Sequence, residues 1–303
     1  MPEMPEVQGL VAFLDERIKG LEITRVSVGS IAALKTYDPR ETALNGAIVR
    51  GVSRHGKFLD IDAGTDSEPL HLIFHLAKAG WLRWYDTVSA TVIRPGKTHI
   101  ALRVALSDGS GFDLTEAGTK RSLAVYVVRD PADVPGIARL GPDPLGASFT
   151  PQVFAELLAG RRTQIKGVLR DQSTIAGIGN AYSDEILHAA KMSPYALAAT
   201  LSDADVEALY AAMQKTIRDA VADATGKPPA DLKDAKRGGM RVHGRKGESC
   251  HVCGDTVRSV FFADNSRVSD IARQSGGSSL EYCPTCQTKG KILADRLRSR
   301  FLK

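Results

Sequence analysis

Apolar residues recur at helical spacing from the start of the chain. The positions that share one face are Val7, Leu10, Val11, Leu14 and Ile18. Pro5 and Glu6 suit the first turn of such a helix, because proline needs no hydrogen-bond acceptor there and an acidic side chain complements the positive helix end. The pattern predicts a helix that begins near Pro5.

The next hundred residues read as strands. Short β-branched and apolar runs, separated by Gly, Asp and Pro, cover residues 23–28, 47–52, 58–61, 72–76 and 100–104. This spacing predicts a β-sandwich or barrel. We place this domain at residues 1–130.

The second half has a different pattern. Residues 131–150 are rich in Pro and Gly and are interpreted as a linker, and apolar residues then recur every three or four positions. We therefore expect a helical domain at 151–240, with a mobile connector at 226–239, and a separate C-terminal module at 241–303.

Length and charge narrow the choice of class. A chain of 303 residues favours two domains, and a net charge of +5 favours a polyanionic partner, either nucleic acid or an anionic membrane. No stretch approaches the ~20 apolar residues of a membrane span, and no basic leader precedes an apolar run. We expect a cytoplasmic protein.

Four cysteines form two Cys-x-x-Cys pairs, Cys250 with Cys253 and Cys283 with Cys286. In a reducing compartment this spacing favours one zinc ion over disulfides, and four thiolates leave no open position for chemistry. The zinc is expected to be structural. The pairs lie farther apart than is usual, which predicts an inserted loop at 267–277.

A glycine-rich turn lies between two helical segments of the second half. The first helix is expected to end near Asp171, and Asn180 is placed to cap the next one after Gly177 and Gly179. Backbone amides of such a turn at a helix N-terminus can bind phosphate. An ordinary helical hairpin would have the same pattern.

Residue 2 is a proline followed by an acid. Removal of Met1 would leave a secondary amine, and an α-amino group titrates near pH ~7.7–8.0, so part of it is a neutral nucleophile at physiological pH. By itself Pro2 could equally be an incidental terminal residue.

Taken together, the Pro2-Glu3 start, the hairpin at 164–187 and the four-cysteine finger resemble the formamidopyrimidine-DNA glycosylase / endonuclease VIII family. The resemblance implies an α+β fold: an N-terminal β-sandwich with flanking helices, then a helical helix–two-turns–helix domain with a four-cysteine zinc finger. It also implies a monomer that binds damaged double-stranded DNA in the nucleoid, excises oxidised bases and nicks the strand by β-elimination.

The resemblance assigns catalytic roles near the N-terminus. Pro2 nitrogen would attack C1′ of a nucleotide flipped out of the stack, and Glu3 would protonate the ribose ring oxygen as it opens. Glu6 would support that pocket. Lys57 would neutralise a phosphate and assist proton transfer during elimination.

Family contacts to DNA are carried over in the same way. The residues that match them or lie in the matching loops and turn are His75, Lys78, His99, Arg121, Arg161, Arg162, Lys166, Gly179 and Asn180. Phosphate contacts of this kind fix the register of the protein on DNA without reading its sequence.

Several positions depart from the family pattern. Lys78 replaces the methionine that fills the gap left by the flipped base, and residues 118–123 contain no aromatic wedge. Ser278 stands where a finger arginine assists δ-elimination, and 225–239 lacks the loop that caps 8-oxoguanine. The choice between oxidised purine and pyrimidine, the opposite-base preference and the δ step stay open.

Two other functions fit the same residues. One is a non-catalytic protein that binds damaged or abasic DNA on the same scaffold, because the wedge and the finger arginine are absent. The other is a zinc-ribbon nucleic-acid-binding factor in which Pro2 is incidental. The presence of Pro2, Glu3 and Lys57 favours the enzyme.

Overall fold

The first helix, α1 (Met4–Ile18), starts one residue before the predicted position. Its apolar face is buried in the core of the first half of the chain, where Leu10, Leu14 and Ile18 have no exposed surface. In the computed structural model the described residues are 1–65, 67–96, 98–117, 121–262 and 278–294. Within them the chain forms two units, Met1–Leu140 with Val221–Ala235, and Gly141–Ala220 with Lys236–Lys303.

Eight strands of the first unit form two antiparallel sheets with the orders β1-β6-β7-β5 and β2-β3-β4-β8. The strands are β1 (Ile23–Val28), β2 (Val49–His55), β3 (Phe58–Gly64), β4 (Pro69–His75), β5 (Gly80–Tyr85), β6 (Ile100–Leu106), β7 (Gly111–Glu116) and β8 (Ala124–Val128). The predicted β-sandwich is confirmed.

Alternation along β3 divides the sheet into two faces. Leu59 and Ile61 join the main core with α1, while Phe58 and Asp60 point to the opposite face. There Phe58 packs in a second apolar cluster with Val134, which follows the sandwich in sequence. Asp60 is buried beside this cluster and receives hydrogen bonds from histidines of the neighbouring strands.

Six further helices follow residue 140 within the described residues. They are α2 (Pro151–Leu158), α3 (Ile165–Arg170), α4 (Asn180–Ala189), α5 (Asp203–Ala224), α6 (Leu232–Gly239) and α7 (Pro284–Thr288). A hairpin of β9 (Arg258–Phe262) and β10 (Ser278–Tyr282) belongs to the C-terminal finger. The expected helical domain with a finger is therefore present, whereas the insertion predicted at 267–277 lies outside the described residues.

The connector predicted at 226–239 is wrong in part, because its second half is helix α6. Leu232 anchors the start of this helix in the core of the first unit, where its side chain is buried. The ammonium of Lys233 lies 4.4 Å from the ring centroid of Trp81, whose indole N–H donates to Pro229 O at 3.0 Å. Glycine has a low helix propensity, and two glycines end this segment. The buried side chain of Leu232 and the contacts of Trp81 favour the helix in spite of them.

None of the helices in the described ranges combines the length and the apolar character that crossing a membrane requires.

Candidate active site and DNA interface

The two residues directly before α1 are buried. Pro2 and Glu3 are buried while Met1 is half exposed. Glu3 is the N-cap residue of α1, and it forms a capping box with Glu6 in which the N–H of Glu3 donates to Oε2 of Glu6 at 2.7 Å. The structure thus brings these two acids together and fixes residues 2 and 3 at the positive end of a helix dipole.

Lys57 lies in the turn between β2 and β3, and side chains of α1 hold the strand that leads to it. Asp15 accepts a hydrogen bond from Val52 N at 2.8 Å, and Gln8 accepts one from Arg54 Nε at 2.7 Å. Higher numbers on β2 therefore pair with lower numbers on α1. The hairpin tip that carries Lys57 runs toward the N-terminus of the helix, and the Lys57 side chain is only 8% exposed.

His75 ends β4 directly opposite Phe58, and the two ring centroids are 4.8 Å apart. Burial first, and then the positive charge of Lys57, lower the pKa of His75 to about 4. Ala77 N donates to Nδ1 of His75 at 3.2 Å, so the neutral ring carries its hydrogen on Nε2. Lys78, three positions along, is exposed.

His99 and Arg121 line the same small pocket, and both side chains are exposed. The buried carboxylate of Glu116 borders it and accepts hydrogen bonds from Ser122 N at 2.6 Å and Leu123 N at 2.9 Å. Glu116 thereby orients the segment that begins with Arg121. The structure brings together these two predicted contacts, and residues 118–120 before them lie outside the described ranges.

The glycine turn of the second unit is braced by Gln172, which sequence reasoning did not single out. Gln172 Nε2 donates to Ile178 O at 2.6 Å and Gln172 Oε1 accepts from Gly177 N at 2.9 Å. Gly177 has a φ of 88°, a conformation that glycine adopts without strain. In the sequence, these contacts could have been predicted only from the position of a glutamine shortly before a Gly-x-Gly turn.

The predicted capping role of Asn180 is wrong. Gly179 is the N-cap residue of α4 and Asn180 is the first helical residue. The amide Nδ2 of Asn180 instead donates to Ser279 O of the finger hairpin at 2.8 Å. Asn180 therefore connects the glycine turn to the finger within the second unit.

Lys166 does not have the surface that its predicted phosphate contact requires. Its side chain is 0% exposed, and its ammonium pairs with the equally buried Asp184. It also donates to Ser183 Oγ at 3.1 Å and to Asn180 O at 3.3 Å. A phosphate could reach this ammonium only after the interior of the unit opened. By contrast Arg162 is exposed, and Arg161 is partly exposed with Asp171 at 3.9 Å.

A buried acid of α4 holds the segment that enters the finger. Glu185 accepts hydrogen bonds from three consecutive backbone N–H groups, those of Arg241 at 2.8 Å, Val242 at 3.0 Å and His243 at 2.8 Å. His243 Nδ1 also lies 2.8 Å from Oδ2 of Asp184. Burial raises the pKa of Glu185, although these N–H groups act in the opposite direction. Sequence reasoning missed this network, because its members are about 60 residues apart.

The four cysteines come together as predicted. Cys253 Sγ lies 3.3 Å from Cys283 Sγ, Cys250 Sγ lies 3.9 Å from Cys286 Sγ, and none forms a disulfide. Sulfur atoms at these separations suit the corners of a tetrahedral site. The cluster could bind a metal ion. Nε2 of His188 adds a nitrogen 3.3 Å from Cys250 Sγ.

The fold and site define a class: a β-sandwich that starts with a buried Pro-Glu pair, followed by a helix–two-turns–helix unit with a four-cysteine finger. Two family models match the chain, the formamidopyrimidine-DNA glycosylase N-terminal domain over residues 1–123 and the formamidopyrimidine-DNA glycosylase H2TH domain over residues 140–228. The chain belongs to the formamidopyrimidine-DNA glycosylase family.

Individual relatives agree with this assignment. A formamidopyrimidine-DNA glycosylase of Symbiobacterium thermophilum is 33% identical over 297 residues, which cover 95% of this chain and 89% of that protein. An uncharacterized formamidopyrimidine-DNA glycosylase-like protein of Mycobacterium tuberculosis is 52% identical over 172 residues, 57% of this chain and 99% of that protein.

Among solved structures, one of the Lactococcus lactis FPG protein is similar to nearly the whole chain. It is the G226P mutant in complex with DNA that contains Fapy-dG, with a TM-score of 0.77, 25% identity, and coverage of 95% of this chain and 100% of that one.

Proposed function

We propose that this protein is a bifunctional DNA glycosylase and abasic-site lyase that excises oxidised bases and then nicks the strand by β-elimination. The observation that carries the proposal is the buried Pro2-Glu3 pair at the start of α1, toward which the Lys57 hairpin runs. A family member without catalysis would not need a secondary amine and an acid at this point.

The chemistry requires removal of Met1, which frees the nitrogen of Pro2. The amine lone pair attacks C1′ and the bond from C1′ to the damaged base breaks. The base leaves with the bonding electrons and takes up the proton that the nitrogen loses. When the ribose ring opens, Glu3 gives a proton to the ring oxygen and the Pro2 nitrogen forms an iminium with C1′. Because the amine is secondary, this iminium is positively charged without protonation.

The positive iminium makes the C2′ hydrogen acidic. Its loss to a base places a double bond between C2′ and C3′ and expels the 3′ phosphate, which is β-elimination. Lys57 would neutralise the phosphate and assist this proton transfer. A capped helix end beside Pro2 disfavours a cationic amine and so keeps the nucleophile neutral.

The residues proposed to contact DNA are exposed basic side chains and the N-terminus of one helix. His99 and Arg121 share a pocket, Arg161 and Arg162 are at least partly exposed, and Gly179 and Asn180 form the start of α4. Two further predicted contacts lie nearby in sequence: His75 is the last residue of β4, and Lys78 lies in the segment between β4 and β5. Such contacts predict that affinity falls steeply with salt.

Zinc is the metal that the four cysteines would hold, and it would close the finger without an open position for chemistry. Cys250, Cys253, Cys283 and Cys286 supply the thiolates, while Asn180 and Glu185 tie the finger to α4. We propose a monomer that acts on double-stranded DNA of the cytoplasmic nucleoid.

One alternative has support from the sequence. Lys78 and Ser278 replace the wedge methionine and the finger arginine of the family, so the scaffold could bind abasic DNA without cutting it. The two functions differ in whether a covalent intermediate forms.

Borohydride trapping on a duplex with one abasic site tests the proposal. Mature protein should give a covalent adduct, and protein whose N-terminal amine is blocked by acetylation should still bind the duplex but give no adduct. An abasic duplex that is bound by mature protein but neither trapped nor nicked would establish the binding protein instead. A panel of 8-oxoguanine, formamidopyrimidine, thymine glycol and dihydrouracil would then identify the lesion.

A further inference from the structure

A histidine outside the Cys-x-x-Cys pairs reaches the cysteine cluster. His188 belongs to α4, its side chain is 5% exposed, and its Nε2 lies 3.3 Å from Sγ of Cys250. No sequence motif connects these residues, since 62 positions separate them. The fold of the second unit brings a fifth ligand-type group to a site that already has four.

His188 also fits a complete ligand set with three of the cysteines. Nε2 of His188 and Sγ of Cys250, Cys283 and Cys286 all lie within 4.8 Å of one another. Cys253 is not in that set, and it is the cysteine exposed to solvent. Three buried or half-buried thiols and an imidazole therefore surround one point without help from Cys253.

The distances are those of a tetrahedral zinc site. Zinc–nitrogen bonds of about 2.0–2.1 Å and zinc–sulfur bonds of about 2.3 Å place the nitrogen and sulfur roughly 3.6 Å apart at tetrahedral angles. The observed 3.3 Å between His188 Nε2 and Cys250 Sγ is close to this separation. Three thiolates and one imidazole form one of the closed sets found in structural zinc sites.

We propose that His188 is a reserve zinc ligand, which completes a three-cysteine, one-histidine site with Cys250, Cys283 and Cys286 when Cys253 does not coordinate. With Cys253 in place, the four thiolates hold the ion and His188 contacts the Cys250 sulfur. This inference rests on the metal site and not on the glycosylase activity. If His188 only donates an N–H to that sulfur, it cannot replace a lost ligand.

Zinc content and cobalt spectra of full-length variants distinguish the two roles. C253S should retain one zinc per chain, and H188F should retain one through four thiolates. In C253S/H188F the affinity for zinc, from competition with a chelator, should be at least about 100-fold weaker than in C253S. Folding of each variant is checked by circular dichroism.

Substitution with Co²⁺ identifies the donor atoms. The thiolate-to-cobalt charge-transfer band should be about one quarter weaker in C253S than in the unmodified protein, because three thiolates replace four. The proposal would be overturned if C253S were unfolded or contained no zinc. It would also be overturned if C253S and C253S/H188F bound zinc with equal affinity.

Discussion

The ammonium of Lys166 and the carboxylate of Asp184 form an ion pair in which both side chains are completely buried. Asp184 has a second partner, His243 Nδ1 at 2.8 Å, and Lys166 also reaches Asn180 O. The pair therefore links the first turn of α4 to the segment that enters the finger. Its role is to hold these parts in place, and two measurements distinguish that role from a contact with DNA.

The first measurement is stability. Lys166→Met should lower the free energy of unfolding by about 3–5 kcal/mol, because it leaves Asp184 buried without its partner. The double variant Lys166→Met/Asp184→Asn removes both charges and should regain most of that loss. Denaturant unfolding of the two variants checks this, and an equal loss in both would show that the charge of Asp184 is not what Lys166 balances.

The second measurement is the salt dependence of binding to an abasic duplex. A lysine that contacts phosphate contributes roughly −0.9 to the slope of log affinity against log salt. Lys166→Met/Asp184→Asn should leave that slope unchanged even if affinity falls, whereas Arg121→Gln should reduce it by about 0.9. A reduced slope in the double variant would return Lys166 to the DNA interface.

The hydrogen bonds of a second buried acid, Asp60, should make the free energy of unfolding depend on pH. Asp60 lies between His55 Nε2 at 3.0 Å and His71 Nδ1 at 2.9 Å on three neighbouring strands. Burial opposes its ionisation, but the two histidine hydrogen bonds prevail and the pKa of Asp60 is lowered. The hydrogen bond to Asp60 raises the pKa of His71. Burial acts in the opposite direction, and the nearby negative charge of Asp62 adds to the increase.

The directions of these two pKa shifts define the pH range in which Asp60 and His71 stabilise the fold. The contribution of His71 is complete below its ordinary pKa near 6.5 and is lost as pH rises through the raised value, while that of Asp60 is lost as pH falls below about 4. His71→Gln should therefore cost about 1–2 kcal/mol near pH 5.5 and much less near pH 9. Denaturant unfolding at both pH values measures this, with the exposed His99→Gln as control. A cost that does not change with pH would mean that His71 is neutral throughout.

Local patterns were sufficient for much of the fold. Helical spacing predicted α1, short β-branched and apolar runs between Gly, Asp and Pro predicted the sandwich, and two Cys-x-x-Cys pairs predicted the cysteine cluster, because each signal lies within a few neighbouring residues. Lys166 was misjudged because its partner, Asp184, lies on the next helix. His188 was missed for the same reason, since only the tertiary fold places it at Cys250.

His75 should not titrate in the working range of the enzyme. Because burial and Lys57 lower its pKa to about 4, the ring is neutral from about pH 5 to 8. The ratio of wild-type to His75→Gln activity should stay constant across that range. Lys57→Met should raise the pKa of His75, as measured by NMR, since the second cause of the shift is removed. A step in the activity ratio near the ordinary histidine pKa would contradict the buried, neutral ring.

The capping box allows the two N-terminal acids to be tested against each other. Glu3→Gln removes the proposed proton donor and should slow base excision by about 10²–10⁴-fold. Glu6→Gln is the matched control: glutamine at this position can still accept the N–H of residue 3, so the helix start is kept and excision should stay within about tenfold of wild type. Single-turnover excision from an oxidised-base duplex measures both. Borohydride trapping on a duplex that already has an abasic site should survive Glu3→Gln, because the abasic sugar exchanges with its ring-opened aldehyde form without a proton from Glu3. If Glu6→Gln were the more damaging change, the proton would have to come from Glu6, and Glu3 would serve only to cap the helix.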